Sequence, residues 1–414
     1  MSLHFKEWES DTTKYIKATL ERYEKYLNPF LSRELKTAWL PSVAREARGC
    51  YISDLKGETY LDCLSGYGVL SLGYSNPEVI KAVKSQLEEV AFSTKFFCDG
   101  ITGQLAETLA RLSPGDLQYS LFCESGLEAV EAALKVVRHS RKRQGIVCTY
   151  NSFHSYPLTE LNTFSSTNFR FVPYGDLETV KTALDDSIAA LIVEPIQVES
   201  GVVIPSPGYL KGLRRICDDN NILLIIDEIQ TGLGRTGYLF ACDYEKVVPD
   251  ILILGKALGG GILPAGAVLF RPHLSQALQE DPLYYTTTFG GYPLASAAAL
   301  ATLRILTETN LILDVQDKGY YLLQQLHAFA KIFPTVVKEI RGRGLIVGIE
   351  LTDERAGAMI MAKLLEQKVI TAPTLQNRKV IRLEPPLFIT YEEIDYITAA
   401  LNNAIKYAEE LLNI

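Results

Sequence analysis

From residue 119 to residue 254 one pattern recurs: a short apolar run, then a stretch whose apolar residues follow helical spacing. The runs are Tyr119-Ser120-Leu121-Phe122, Ile146-Val147-Cys148-Thr149, Ala190-Leu191-Ile192-Val193, Ile222-Leu223-Leu224-Ile225-Ile226 and Ile251-Leu252-Ile253-Leu254. Runs this short and this apolar fit strands covered on both faces, and their alternation with helices predicts a βαβ-type parallel sheet. Gly266 to Phe270 is a further candidate strand. The expected fold class is α/β, with a large domain over residues 75–305 built on a mixed, mostly parallel sheet.

Past about residue 305 the character changes. Helical patterns at about 315–332 and 355–367 alternate with apolar runs at 344–350 and 380–383, and a last helix runs to the C-terminus. This predicts a smaller α+β domain from residues 306–414. Residues 1–74 are expected to join it, because Tyr51-Ile52-Ser53-Asp54 and Thr59-Tyr60-Leu61-Asp62 read as a hairpin around Gly57. Tyr15, Ile16, Leu20, Tyr23 and Leu27 are spaced for one helix face, which either packs on its own subunit or reaches a second one.

Composition narrows the function. At ~150 residues per domain, 414 residues make two or three domains and bury enough surface to fold without disulfides or structural metal. The net charge is −8 and the longest basic cluster is Arg141-Lys142-Arg143, a poor match to nucleic acid. The polar, acidic start lacks the apolar stretch of an export signal. The longest apolar run, Ile188 to Val193, falls far short of the ~20 residues of a bilayer span, so no membrane partner is expected. Seven scattered cysteines without a CxxC pair and five histidines without ligand spacing predict reduced thiols in a cytoplasmic protein and no metal site.

In an open α/β sheet, ligands bind beyond the carboxyl ends of the strands. There the sequence places Glu124-Ser125-Gly126-Leu127-Glu128, Tyr150-Asn151-Ser152-Phe153-His154, Glu194 to Glu199, Asp227 to Gln230, and Gly255-Lys256-Ala257. Lys256 follows a buried run and precedes a glycine-rich turn. Either it is buried, its pKa lowered by desolvation and its amine ready to form a Schiff base, or it snorkels to the surface. Asp227 favours the first reading. A carboxylate at the end of the neighbouring run can hold a pyridinium nitrogen protonated, as pyridoxal 5'-phosphate (PLP) requires of its protein. Ser125-Gly126-Leu127-Glu128 is a capping-box sequence, and the same helix N-terminus suits a phosphate. Phe153 is either core or a stacking face for a flat ring. Thr286-Thr287-Thr288-Phe289-Gly290-Gly291 is either a plain turn or a source of hydroxyls.

These residues match a family. Ile225 to Gly237, Pro249-Asp250 and Gly255 to Gly261 closely resemble the class III aminotransferase signature, and the likeness runs from about Pro41 to the final helix. The resemblance implies a PLP-dependent transferase of fold type I. It implies that Lys256 carries the cofactor and moves the substrate proton, that Asp227 holds the ring nitrogen, and that Gln230 contacts the ring hydroxyl. Phe153 would stack on the ring, and Ser125, Gly126 and Leu127 would hold the phosphate. Thr288 would reach the phosphate of the other subunit, making a homodimer with shared active sites.

Two further matched positions bear on substrate. Arg382 aligns with the arginine that grips the carboxylate of glutamate or 2-oxoglutarate, a task suited to bidentate pairing. Glu199 aligns with the glutamate that neutralises this arginine when an amine binds. The alternative for this pair is a surface salt bridge. Tyr119 to Phe122, Thr286 to Gly291 and Ile381 to Pro386 look most like putrescine (diamine) aminotransferases. The expected reaction therefore moves an amino group between a primary or ω-amine and a 2-oxoacid such as 2-oxoglutarate or pyruvate. Leu127, Ser155, Val198, Ser200 and Tyr292 depart from the family pattern. They leave room for an enzyme that aminates a specialised biosynthetic aldehyde; separately, a racemase or aminomutase on the same scaffold would need the same Lys256 and Asp227.

Overall fold

A computed structural model describes residues 11–37, 40–154, 169–275, 285 and 287–412. The N-terminal helix Thr12–Arg22 passes into a wider turn at Tyr23–Leu27. Of the predicted apolar face Ile16 is buried, whereas Tyr23 and Leu27 are exposed; only the first half of that face packs on its own chain. The expected hairpin forms as β2 (Tyr51–Asp54) and β3 (Thr59–Asp62), flanked by β1 (Ala44–Arg48).

The central sheet has seven strands: β4 (Tyr119–Cys123), β5 (Gly145–Thr149), β6 (Phe169–Val172), β7 (Ile188–Val193), β8 (Leu223–Asp227), β9 (Ile251–Leu254) and β10 (Gly266–Phe270). Their order is β4-β10-β9-β8-β7-β5-β6. The strands β6, β5, β7, β8 and β9 are mutually parallel, and β10 lies antiparallel to both β9 and β4. Every residue of β7, β8 and β9 is buried, as their apolar sequences require of strands covered on both faces. β6 carries two aromatics and an arginine in four residues and has no apolar run to announce it. The parallel strands, with β4 aligned, bring the carboxyl ends of β4, β5, β7, β8 and β9 to one edge.

Among the described residues two smaller sheets accompany the central one. In one, β13 (Val369–Ile370) pairs parallel with β3 and so joins the hairpin to the C-terminal region. The other has the order β11 (Val337–Arg343), β12 (Ile346–Leu351), β15 (Val380–Leu383), β14 (Ala372–Pro373). Helices Leu311–Ile332, Glu354–Glu366 and Tyr391–Leu412 fall where helical spacing places them. No helix among the described residues is long and apolar enough to cross a membrane.

Candidate active site

β9 delivers Lys256 to the sheet edge. Gly255 packs against the start of the helix that follows β4: a Cβ there would lie 3.2 Å from the Gly126 Cα. The chain then turns through Lys256 at φ +41°, a left-handed conformation that costs a non-glycine residue ~1–3 kcal/mol and concentrates at functional sites. Burial of Ala257, Leu258 and Gly259 in the following turn holds it there. Lys256 Nζ donates to Gln230 Oε1, so the side chain points inward and does not snorkel. Burial lowers its pKa from the usual 10.5, with the carboxylates of Glu384 and Glu199 opposing that shift.

β8 delivers Asp227. Its Oδ1 accepts from the Ile229 amide at 3.0 Å, and its Oδ2 lies 3.0 Å from Nδ1 of His154, itself buried. A ring nitrogen facing a carboxylate carries the proton, which orients the imidazole and the carboxylate together; His154 Nε2 is buried without a partner among the described residues. His154 ends the turn after β5, where Asn151 adopts φ +62°. Gln197 Nε2 pins that turn through Thr149 Oγ1 and the Tyr150 carbonyl, each at 2.9 Å. Phe153 is 42% exposed and is therefore not a core residue.

Glu194, after β7, joins this cluster. Burial, then the charge of Asp227, pushes its pKa well above the ordinary carboxylate range. Ligand atoms of His154, Glu194 and Asp227 all lie within 4.8 Å of one another. Linear spacing gave no sign of this convergence; strand ends far apart in sequence create it. Within this group the direct bond is the one between His154 and Asp227, with Glu194 beside the pair.

β4 leads into the helix Gly126–Ser140. The capping box forms in full: Ser125 Oγ accepts from the Glu128 amide at 3.2 Å, and Glu128 Oε2 accepts from Glu124 and Ser125 amides at 2.9 and 3.0 Å. It does not use the amides of Gly126 and Leu127. A Cβ on Gly126 would meet Ile229 side-chain carbons at 3.0 Å, so the helix start sits tight against the strand ends. Leu127 and Thr288 are exposed. Glu124 Oε1 accepts from the Phe289 amide at 2.8 Å, tying the Thr288 segment to this turn. Thr286 and Ser155 lie outside the described residues.

Arg382 stands on β15 opposite Gly348 of β12. There a Cβ would lie 3.0 Å from Val202 Cβ, so the loop carrying Glu199 can settle on this sheet. Arg341 clamps the loop by donating to the carbonyls of Gly201 at 2.6 Å and Val202 at 3.1 Å. Glu199 Oε1 then accepts from Arg382 Nη1 at 2.6 Å. Both side chains are buried, which excludes the surface-bridge reading. Among the described residues Arg382 Nε and Nη2 are buried without a partner, a donor edge that matches a carboxylate.

Two residues here escaped sequence reasoning. Tyr67 lies with its ring 5.0 Å from the Arg382 guanidinium carbon, lifted there at φ +62° on a turn that Asp62 caps. Glu384, fully buried, accepts from Gln230 Nε2 through both oxygens at 2.9 and 3.0 Å. Only the glycines beside Tyr67 hinted at the first; the second was legible only as part of the 381–386 motif.

Residues 34–405 match the family described as Aminotransferase class-III. The chain belongs to the class III aminotransferase family. It is 30% identical to the ornithine aminotransferase of Toxoplasma gondii ME49, with a TM-score of 0.87 and 98% of this chain and 100% of that one covered. The ornithine delta-aminotransferase of Plasmodium falciparum is 32% identical (TM-score 0.82, 92% and 98% covered). The acetylornithine aminotransferase of Elizabethkingia anophelis is 31% identical (TM-score 0.80, 91% and 98% covered). The protein is a PLP-dependent aminotransferase acting on a small-molecule amine and an oxoacid. Its residues fit that cofactor: an inward lysine with a lowered pKa, a carboxylate fixed by a buried histidine, and a tight glycine-bearing helix start.

Proposed function

We propose that the enzyme transfers an amino group from the terminal primary amine of an ω-amino compound to a 2-oxoacid such as 2-oxoglutarate. The observation that carries this reading is the closed Glu199–Arg382 pair, which neutralises the arginine as a donor without a nearby carboxylate requires. The Nε and Nη2 edge of Arg382, unpartnered among the described residues, is the matching feature for the acid. Bound PLP supplies the aldehyde that takes up the amino group and the ring that accepts electrons.

Lys256 anchors that cofactor and moves the substrate proton. Asp227 holds a proton at the ring nitrogen, with His154 orienting it. Gln230 meets the ring hydroxyl, Phe153 covers a ring face, and Ser125, Gly126 and Leu127 hold the phosphate together with Thr288 from the second copy of a homodimer. The ornithine and acetylornithine enzymes among the relatives support a donor that carries a terminal amine. Putrescine is the diamine of the same kind.

The test follows the visible absorption of the cofactor-loaded protein after putrescine, ornithine, N-acetylornithine or glutamate is added separately. Conversion by glutamate and by at least one terminal amine is expected. Conversion by glutamate alone would overturn the ω-amine reading.

A further inference from the structure

The two substrate-facing groups identified from sequence, Glu199 and Arg382, are accompanied by a second carboxylate. Glu384 lies two residues beyond Arg382. The Glu384 amide donates to the Cys63 carbonyl at 2.7 Å, which fixes the backbone that carries this side chain. Its Oε2 stands 3.5 Å from Arg382 Nη1, the nitrogen that Glu199 also holds.

The two carboxylates differ in how firmly they are held. Apart from Arg382, Glu199 accepts from the Leu375 amide at 3.2 Å, on a loop shaped by Gly201 at φ +116°. Glu384 is locked: both oxygens accept from Gln230 Nε2. Gly68, at φ +83°, leaves it room, since a Cβ there would lie 3.3 Å from Glu384 Oε1 and 3.6 Å from Gln230 Nε2. The shortest bond of Glu199 is to the arginine itself, whereas Glu384 is held by Gln230 whether or not Arg382 is engaged.

We propose that Glu384 is a specificity-determining residue: a fixed negative charge that weakens capture of the acid substrate by Arg382 and favours the cationic amine. The inference rests on the assignment of Arg382 to the acid substrate. An incoming carboxylate takes the Nε and Nη2 edge of Arg382 while Glu384 remains close behind Nη1, and like charges in a buried site oppose one another. An amine entering toward Lys256 meets the opposite field. The same charge opposes the burial-driven fall in the Lys256 pKa more than any other group does. The line Lys256–Gln230–Glu384–Arg382 thus joins the reacting end of the site to its carboxylate end.

The test uses the PLP-loaded enzyme and glutarate, a dicarboxylate that lacks the oxo group and does not react, with binding read by calorimetry. Glu384→Gln keeps the size of the side chain and an acceptor for Gln230 but removes the charge. It should bind glutarate about tenfold more tightly, the effect of removing one nearby like charge, and should raise KM for the amine donor. Glu384→Asp keeps the charge and should bind glutarate nearly as the parent does. Unchanged or weaker glutarate binding in Glu384→Gln would overturn the proposal, as would equal tightening in Glu384→Asp. Should Glu384→Gln not fold, Glu384→Ala carries the same expected sign. Arg382→Ala separates this inference from the one beneath it. Unaltered glutarate binding in that variant sinks the arginine assignment itself, whereas lost binding there with no effect of Glu384→Gln sinks only the role of Glu384.

Discussion

Glu199 Oε1 lies 2.6 Å from Nη1 of Arg382, and neither side chain reaches solvent appreciably. A pair this buried is costly to break from one side, because the remaining charge is left without compensation. The arginine is nevertheless only half engaged, with Nε and Nη2 unpartnered among the described residues. Glu199→Gln should therefore lower the amine half-reaction about tenfold or more, since a hydrogen bond to a charged group contributes ~1.5–3 kcal/mol. The glutamate half-reaction should be largely retained. Arg382→Ala should show the reverse asymmetry. Single-turnover absorbance traces with each donor measure both, and equal losses in the two halves would refute the two-mode pocket.

On the proposed reading, Lys256 is the group on which the chemistry depends. Lys256→Ala should reduce turnover to background while leaving the fold intact. Borohydride treatment of the PLP-loaded parent should fix the cofactor's mass on the peptide containing Lys256, and the variant should gain none. Label on any other lysine would move the anchoring role elsewhere.

The sequence revealed the strand ends more fully than the contacts between them. β7, β8 and β9 were legible because an apolar run buried on both faces has few other uses, and Lys256 and Asp227 stood out as charged groups at the ends of such runs. The antiparallel setting of β10 was not legible, since Gly266–Phe270 is as apolar as its parallel neighbours and direction leaves no mark in composition. β6 was missed because it alternates aromatic and basic residues at a sheet edge. The His154–Asp227 bond and the Glu384–Gln230 bond join residues 73 and 154 positions apart. No local period encodes them, and only strand order creates them.

On the same reading, His154 acts through Asp227. Removing its Nδ1–H···Oδ2 bond frees the carboxylate to rotate about its remaining tie to the Ile229 amide. His154→Leu should lower kcat about 10²-fold, the scale expected when a reacting group is misplaced by about an ångström, with a much smaller change in KM for the amine. A matched fall in kcat and rise in KM would instead place His154 in substrate binding.

Glu228, the residue after Asp227, carries a stability prediction with a definite sign. It is buried and accepts from the amides of Ala241 and Cys242 at 2.8 Å and from Thr231 Oγ1 at 3.0 Å. Those bonds favour the carboxylate, but burial outweighs them and raises its pKa from 4.5 to about 7. Between these values the folded chain holds a proton that the unfolded chain has released. The stabilisation is complete below pH 4.5 and is lost as pH rises through 7, an amount on the order of 3 kcal/mol. Glu228→Gln cannot titrate and lacks this dependence. Thermal midpoints of both proteins at pH 5 and pH 8 should show the parent losing several degrees relative to the variant at the higher pH. A difference between the two proteins that stays constant across that range would mean that Glu228 is already ionised in the folded chain at pH 5.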